Sequence, residues 1–139
     1  MTRRYENLRT FRLADALVIE LYQCTQALPP TERFGLQTQL RRAAVSVVAN
    51  IIEGTARPTA REYERFLHIA IGSATETSYL LGLTGRLSLL PEPACRQLSE
   101  RYRHVVRALV SQIEALRRLE SDDRSRRPAR VLNRDSAEG

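Results

Sequence analysis

The two histidines each stand four places from a carboxylate, Glu64 with His68 and Glu100 with His104, and this is where catalysis or metal binding would be sought first. A helical protein that holds two metal ions uses inward Glu-x-x-His pairs, three apart, on each of two helices. Both pairs here are four apart and offset from the apolar stripes that contain Phe66 and Ala70, or Tyr102 and Val105. They read as surface i,i+4 pairs. The chain has no Lys and no Gly-rich phosphate loop, so the usual nucleophile and base constellations are missing. Cys24 and Cys95 lack zinc-site spacing and are too few for a disulfide framework, which fits inert, reduced thiols in a cytoplasmic protein. The expectation is a protein that is not an enzyme and uses no cofactor and no metal.

Charge points to a different chemistry. All 22 basic residues are Arg, set against 16 acids for a net charge of +6, and that excess favours an anionic partner. Arg57, Arg61 and Arg65 are four apart at the start of a helical segment, with Arg41 and Arg42 on the preceding one as companions. They make a phosphate-binding ridge or else a solvated face, in which Glu62 pairs with Arg65 and Glu64 with His68 or Arg61. Both readings stand at this level. Phe11, Tyr63, Phe66 and Tyr102 lie on apolar stripes and read as core rather than base-stacking platforms.

The elements that position these residues are helices, because apolar residues recur at three- and four-residue intervals between the few Gly and Pro. The first segment runs from about Asn7 to Leu28, ahead of Pro29-Pro30. The second runs from about Gly35 to Gly54, where glycine suits a left-handed C-cap. Thr59 and Glu62 form a capping box that starts the third at Ala60; it runs to about Leu90, weakened near Gly82 and Gly85. Pro93 suits the first turn of a fourth, which runs to about Leu119. At 139 residues the chain fits one domain. The expected fold is all-α: an antiparallel up-down-up-down four-helix bundle over residues 1–120, then a disordered charged tail over 121–139. No apolar run suits a membrane span.

Two further patterns concern packing. Gln39, Ala43, Ser46, Asn50 and Glu53 share one face of the second helix. That face is either a site or, more economically, a polar network in which Ser46, Asn50 and Glu53 bond to a neighbouring helix through Ser73 or Glu76. On the third helix, Phe66, Leu67, Ile69, Ala70, Ile71 and Ala74 span roughly 200° of the circumference. A stripe so wide predicts a subunit interface at Ile69 and Ile71, or else a central helix buried on two sides.

The run Gly35-Leu36, Gln39-Leu40-Arg41-Arg42-Ala43-Ala44, Ser46-Val47, Asn50-Ile51 and Glu53-Gly54, followed by Arg61-Glu62-Tyr63, Phe66, Ile69-Ala70 and Gly72-Ser73, resembles a known family. It is similar to the four-helix bundle proteins encoded in intervening sequences of bacterial 23S ribosomal RNA genes, over about residues 4 to 118. It is similar also to the accessory protein of diversity-generating retroelements, which binds reverse transcriptase and RNA. The resemblance implies a basic homopentamer without enzymatic activity, and it transfers no binding positions. Phe11 stands where the family commonly has Trp, and Val48 where it commonly has Pro, which predicts a second helix without a proline kink. The leading functional reading is an oligomeric bundle that binds nucleic acid, structured RNA above all, through Arg. The alternative is a protein adaptor that docks a partner such as a reverse transcriptase.

Overall fold

Each periodic apolar stripe becomes one helix in a computed structural model of the chain, which describes residues 4–128. The helices are α1 (Arg9–Thr25), α2 (Thr38–Thr55), α3 (Ala60–Arg86) and α4 (Glu92–Arg126). Their stripes meet in one core, where Leu21, Leu40, Ile51, Leu67, Tyr102, Val105 and Leu109 are fully buried. α3 packs along both α2 and α4, and α1 packs on α2 and α4. Residue pairings run in opposite directions on neighbouring helices. Ser46 meets Ser73 while Gly54 meets Phe66, Ser78 meets Ser99 while Tyr63 meets Gln112, and Thr10 meets Gln112 while Glu20 meets Arg101. The bundle is therefore antiparallel.

Local chemistry sets the helix ends. At α3, the Glu62 amide donates to Thr59 Oγ1 at 3.2 Å, as the capping box predicts. The Glu62 carboxylate accepts from the Thr59 hydroxyl at 3.1 Å rather than from its backbone amide. α3 stops at Arg86, short of Leu90, in a Schellman motif: the Leu89 amide reaches the Thr84 carbonyl, the Ser88 amide reaches Gly85, and Ser88 takes φ 56°. α2 starts at Thr38, after a wide turn over Arg33–Gln37 in which the Glu32 carboxylate accepts from the Leu36 amide. It runs unbroken past Val48.

Gly54 departs from the C-cap expectation. α2 continues through it to Thr55, and no glycine among the described residues has positive φ. A Cβ there would lie 3.2 Å from Phe66 Cβ and 3.3 Å from the Tyr63 carbonyl oxygen. The glycine thus serves a close approach of α2 to α3. α4 also exceeds its expected end, since residues 121–126 are helical and exposed. Arg124 and Glu120, and Arg127 and Asp123, pair at i,i+4 there, and Arg in the last turn suits the helix dipole. The remainder of the expected disordered tail, residues 129–139, lies outside the described residues.

Candidate nucleic-acid interface

The close passage at Gly54 brings the end of α2 against the start of α3, and Arg57, Arg61 and Arg65 gather at that corner. The Arg57 guanidinium lies over the Phe66 ring, 5.3 Å from its centroid, and the Arg65 guanidinium lies over the same ring at 4.6 Å. Phe66 is half-buried beneath them. A cation held over a ring in this way is attracted by the π face and keeps guanidinium N–H groups for other acceptors. Arg57 also donates to Glu53 Oε2 at 3.0 Å. Arg61 is exposed and has no ionic or hydrogen-bonding partner among the described residues.

The expected neutralising contacts at this corner form only in part. Glu62 is engaged with Thr59 and does not pair with Arg65. Glu64 lies 3.4 Å from His68, and it also accepts from the Arg117 Nε of α4 at 2.9 Å. The Arg117 hydrogen bond, helped by His68, holds the Glu64 carboxyl below its ordinary range against the opposing effect of burial. The second Glu/His reading is corrected: Glu100 pairs with Arg103 at 3.0 Å, while His104 Nε2 accepts from Arg9 of α1 at 3.1 Å. The helix–helix contact outcompetes the local i,i+4 pair.

Arg41 and Arg42 do not join the ridge, because they lie near the other end of α2, about 20 Å from Arg57 by helical rise. Arg41 ties α2 to α1, donating to Thr25 Oγ1 at 3.0 Å and to the Tyr22 carbonyl at 3.2 Å, with its guanidinium 4.5 Å from the Tyr22 ring centroid. Arg42 is exposed and lines a cleft between α2 and α3.

The polar face of α2 divides. The Ser46 and Ser73 hydroxyls bond at 2.8 Å across the α2–α3 seam, and Asn50 Nδ2 donates to the Ser46 carbonyl at 2.8 Å and to Ser46 Oγ at 3.1 Å. Glu53 stays outside this network, exposed and bonded to Arg57. Glu76 is exposed too, without a partner among the described residues. Ile71 is half-buried and packs against the core, whereas Ile69 is 40% exposed. Most of the wide stripe of α3 is used by its two neighbours, α2 and α4.

Sequence reasoning missed the surface aromatics. Phe34, Tyr22 and Tyr79 are exposed, and each carries an Arg: Arg33 at 5.8 Å, Arg41 at 4.5 Å and Arg86 at 5.9 Å from the ring centroids. The i,i+1 spacing of Arg33 and Phe34 was legible, but only the fold puts Arg41 beside Tyr22. Burial pushes both thiols above their ordinary range, and Cys24 adds to the effect on Cys95. Among the described residues no group of three His, Cys, Asp or Glu is placed to hold a metal ion. No helix among them is long and apolar enough to cross a membrane.

Residues 6–111, most of the bundle, match the family described as 23S rRNA-intervening sequence protein. The chain belongs to this family. A solved structure from Bacteroides thetaiotaomicron, a protein of unknown function from the S23 ribosomal protein family, superposes with a TM-score of 0.67 at 20% identity, covering 75% of this chain and 97% of that one. That likeness establishes the shared fold. No curated protein matches the chain. The intervening-sequence family match and the bundle agree with each other, and the basic corner is the feature of this member that speaks to chemistry.

Proposed function

We propose that this intervening-sequence family protein is a non-enzymatic, cytoplasmic, oligomeric bundle, a homopentamer, that binds structured RNA through the Arg57, Arg61 and Arg65 corner. The observation that carries the reading is that Arg57 and Arg65 are held over one aromatic ring while Arg61 beside them has no partner. Charges fixed in this way read phosphate backbone and helical shape rather than base sequence. The family's name, which refers to an intervening sequence of 23S rRNA, supports a structured RNA as the partner. Repetition of the corner around an oligomer multiplies weak contacts through effective concentration.

Replacing Arg57, Arg61 and Arg65 together by Gln is expected to weaken binding to a structured RNA. It should also flatten the salt dependence of affinity by about 0.7 to 0.9 in logarithmic slope for each phosphate that is no longer neutralised. The helical circular dichroism should match the parent, since exposed helix substitutions usually change stability by less than about 0.5 kcal/mol. Unchanged affinity and slope across the titration would overturn the ridge. The basic surface would then be read as a dock for the acidic face of a protein, such as a reverse transcriptase.

A further inference from the structure

The cleft between α2 and α3 holds side chains that the corner does not use. Its volume is about 480 Å³, within the usual range for small-molecule sites. Phe34 stands at its mouth, Gln39 and Arg42 line the α2 side, the Ser46–Ser73 hydroxyl pair lies along the seam, and Glu76 lines the α3 side. Phe34 is 89% exposed, with the Arg33 guanidinium 5.8 Å from its ring centroid. Arg42 and Glu76 face the same space, yet they do not pair with each other, and neither has another partner among the described residues. One cleft therefore offers an aromatic face, a free cation and a free carboxylate.

Those three groups narrow the occupant. An inorganic anion would leave Glu76 opposed, and a simple cation would leave Arg42 opposed. A nucleotide brings a planar base for Phe34 and a phosphate for Arg42. Glu76 then selects the base. Adenine places an acceptor beside its exocyclic N–H donor, so a carboxylate facing it meets one repulsive contact. Guanine presents two neighbouring N–H donors on its Watson–Crick edge, which match the two oxygens of a carboxylate. We propose that the cleft binds a guanine nucleotide, with its base against Phe34, its phosphate on Arg42 and its Watson–Crick edge on Glu76. The same chemistry is carried by free GMP and by an unpaired guanosine in an RNA strand.

Calorimetric titration of the full chain with GMP, AMP and guanosine tests this site. GMP is expected to bind at least about fivefold tighter than AMP, the low end of what a bidentate base contact discriminates, and tighter than guanosine. Glu76→Gln should erase the preference for guanine over adenine, and Arg42→Gln should bring GMP down to the affinity of guanosine. Phe34→Ala should weaken both nucleotides, and Phe34→Trp should restore them by retaining a stacking face. In the background of the Arg57, Arg61 and Arg65 triple variant, an oligonucleotide with one unpaired guanosine that binds more tightly than GMP, and more tightly than the same strand with adenosine there, identifies RNA as the source; affinity no greater than that of GMP identifies the free nucleotide. No binding of GMP, or equal binding of GMP and AMP that Glu76→Gln leaves untouched, overturns the proposal. The Arg57, Arg61 and Arg65 triple variant should bind GMP like the parent, because a mononucleotide does not reach that corner, so failure of the cleft and failure of the ridge are distinguishable.

Discussion

Tyr102 sits at the centre of the core with a hydroxyl that has no partner among the described residues. Burial drives its phenol well above the ordinary tyrosine range, so it stays neutral. An unsatisfied buried hydroxyl costs about 1–3 kcal/mol, and Tyr102→Phe removes it while keeping the ring. The melting temperature of that variant is expected to rise or hold; a clear fall would reveal a partner such as an internal water. Glu64 makes the opposite kind of contribution, because Arg117 lowers its pKa in the folded state. A depressed carboxylate stabilises the fold above its unfolded pKa of about 4.3, and that contribution is lost as pH falls through the lower folded value. Glu64→Gln should therefore flatten the acid side of the stability profile, as measured by denaturant unfolding at neutral pH and near pH 3. An unchanged acid limb would show that the pair is solvated away.

Gly82 and Gly85 lie one turn apart on α3 and both read as weak points in the sequence, yet their surroundings differ. A Cβ at Gly82 meets nothing within 4 Å, whereas one at Gly85 would lie 3.0 Å from Cys95 Cβ and 3.4 Å from Glu92 Cα on α4. Gly82→Ala is expected to stabilise by about 1 kcal/mol through helix propensity alone. Gly85→Ala is expected to destabilise by about 1–3 kcal/mol through overpacking against α4. Thermal unfolding of the two variants should shift in opposite directions, and a shared direction would contradict the close α3–α4 approach. The long α4 follows the same rule that surroundings decide what an element does. Its last turns bury nothing, so the apolar period ends near Leu119, while local charge pairs carry the helix on to Arg126.

For the whole molecule, the outer side of α3 leaves Ile69 40% and Tyr79 60% exposed. Exposed large apolar side chains on one face suit contact with another subunit. Light scattering of the parent is expected to give a mass well above the monomer's 15.9 kDa. Ile69→Glu should lower that mass, because a carboxylate buried at a subunit contact has no compensating partner. A monomeric parent would sink the oligomer and, with it, the multiplied weak contacts on which the proposed RNA binding by the corner would rest.

Residue order alone settled the all-helical bundle and the start of α3, because apolar periodicity and the Thr59–Glu62 box are local signals that neighbours along the chain can express. It also put Ser46 and Asn50 on one face of α2 by their i,i+4 spacing and named Ser73 as a partner across the seam. But it counted in Glu53 and Glu76, which the fold leaves outside, and sent Asn50 to a neighbouring helix, whereas Asn50 bonds to Ser46 on its own. Contacts between helices were decided by tertiary structure. Register brings Arg117 to Glu64 and Arg9 to His104, and the approach at Gly54 sets Arg57 over the Phe66 ring that the adjacent Arg65 already covers. The same packing parts Arg41 and Arg42 from the ridge, leaves Phe34 at the mouth of a cleft, and turns Ile71 inward while Ile69 faces out. Each of these outcomes depends on the distance between residues far apart in the chain, and a one-dimensional pattern does not encode that distance.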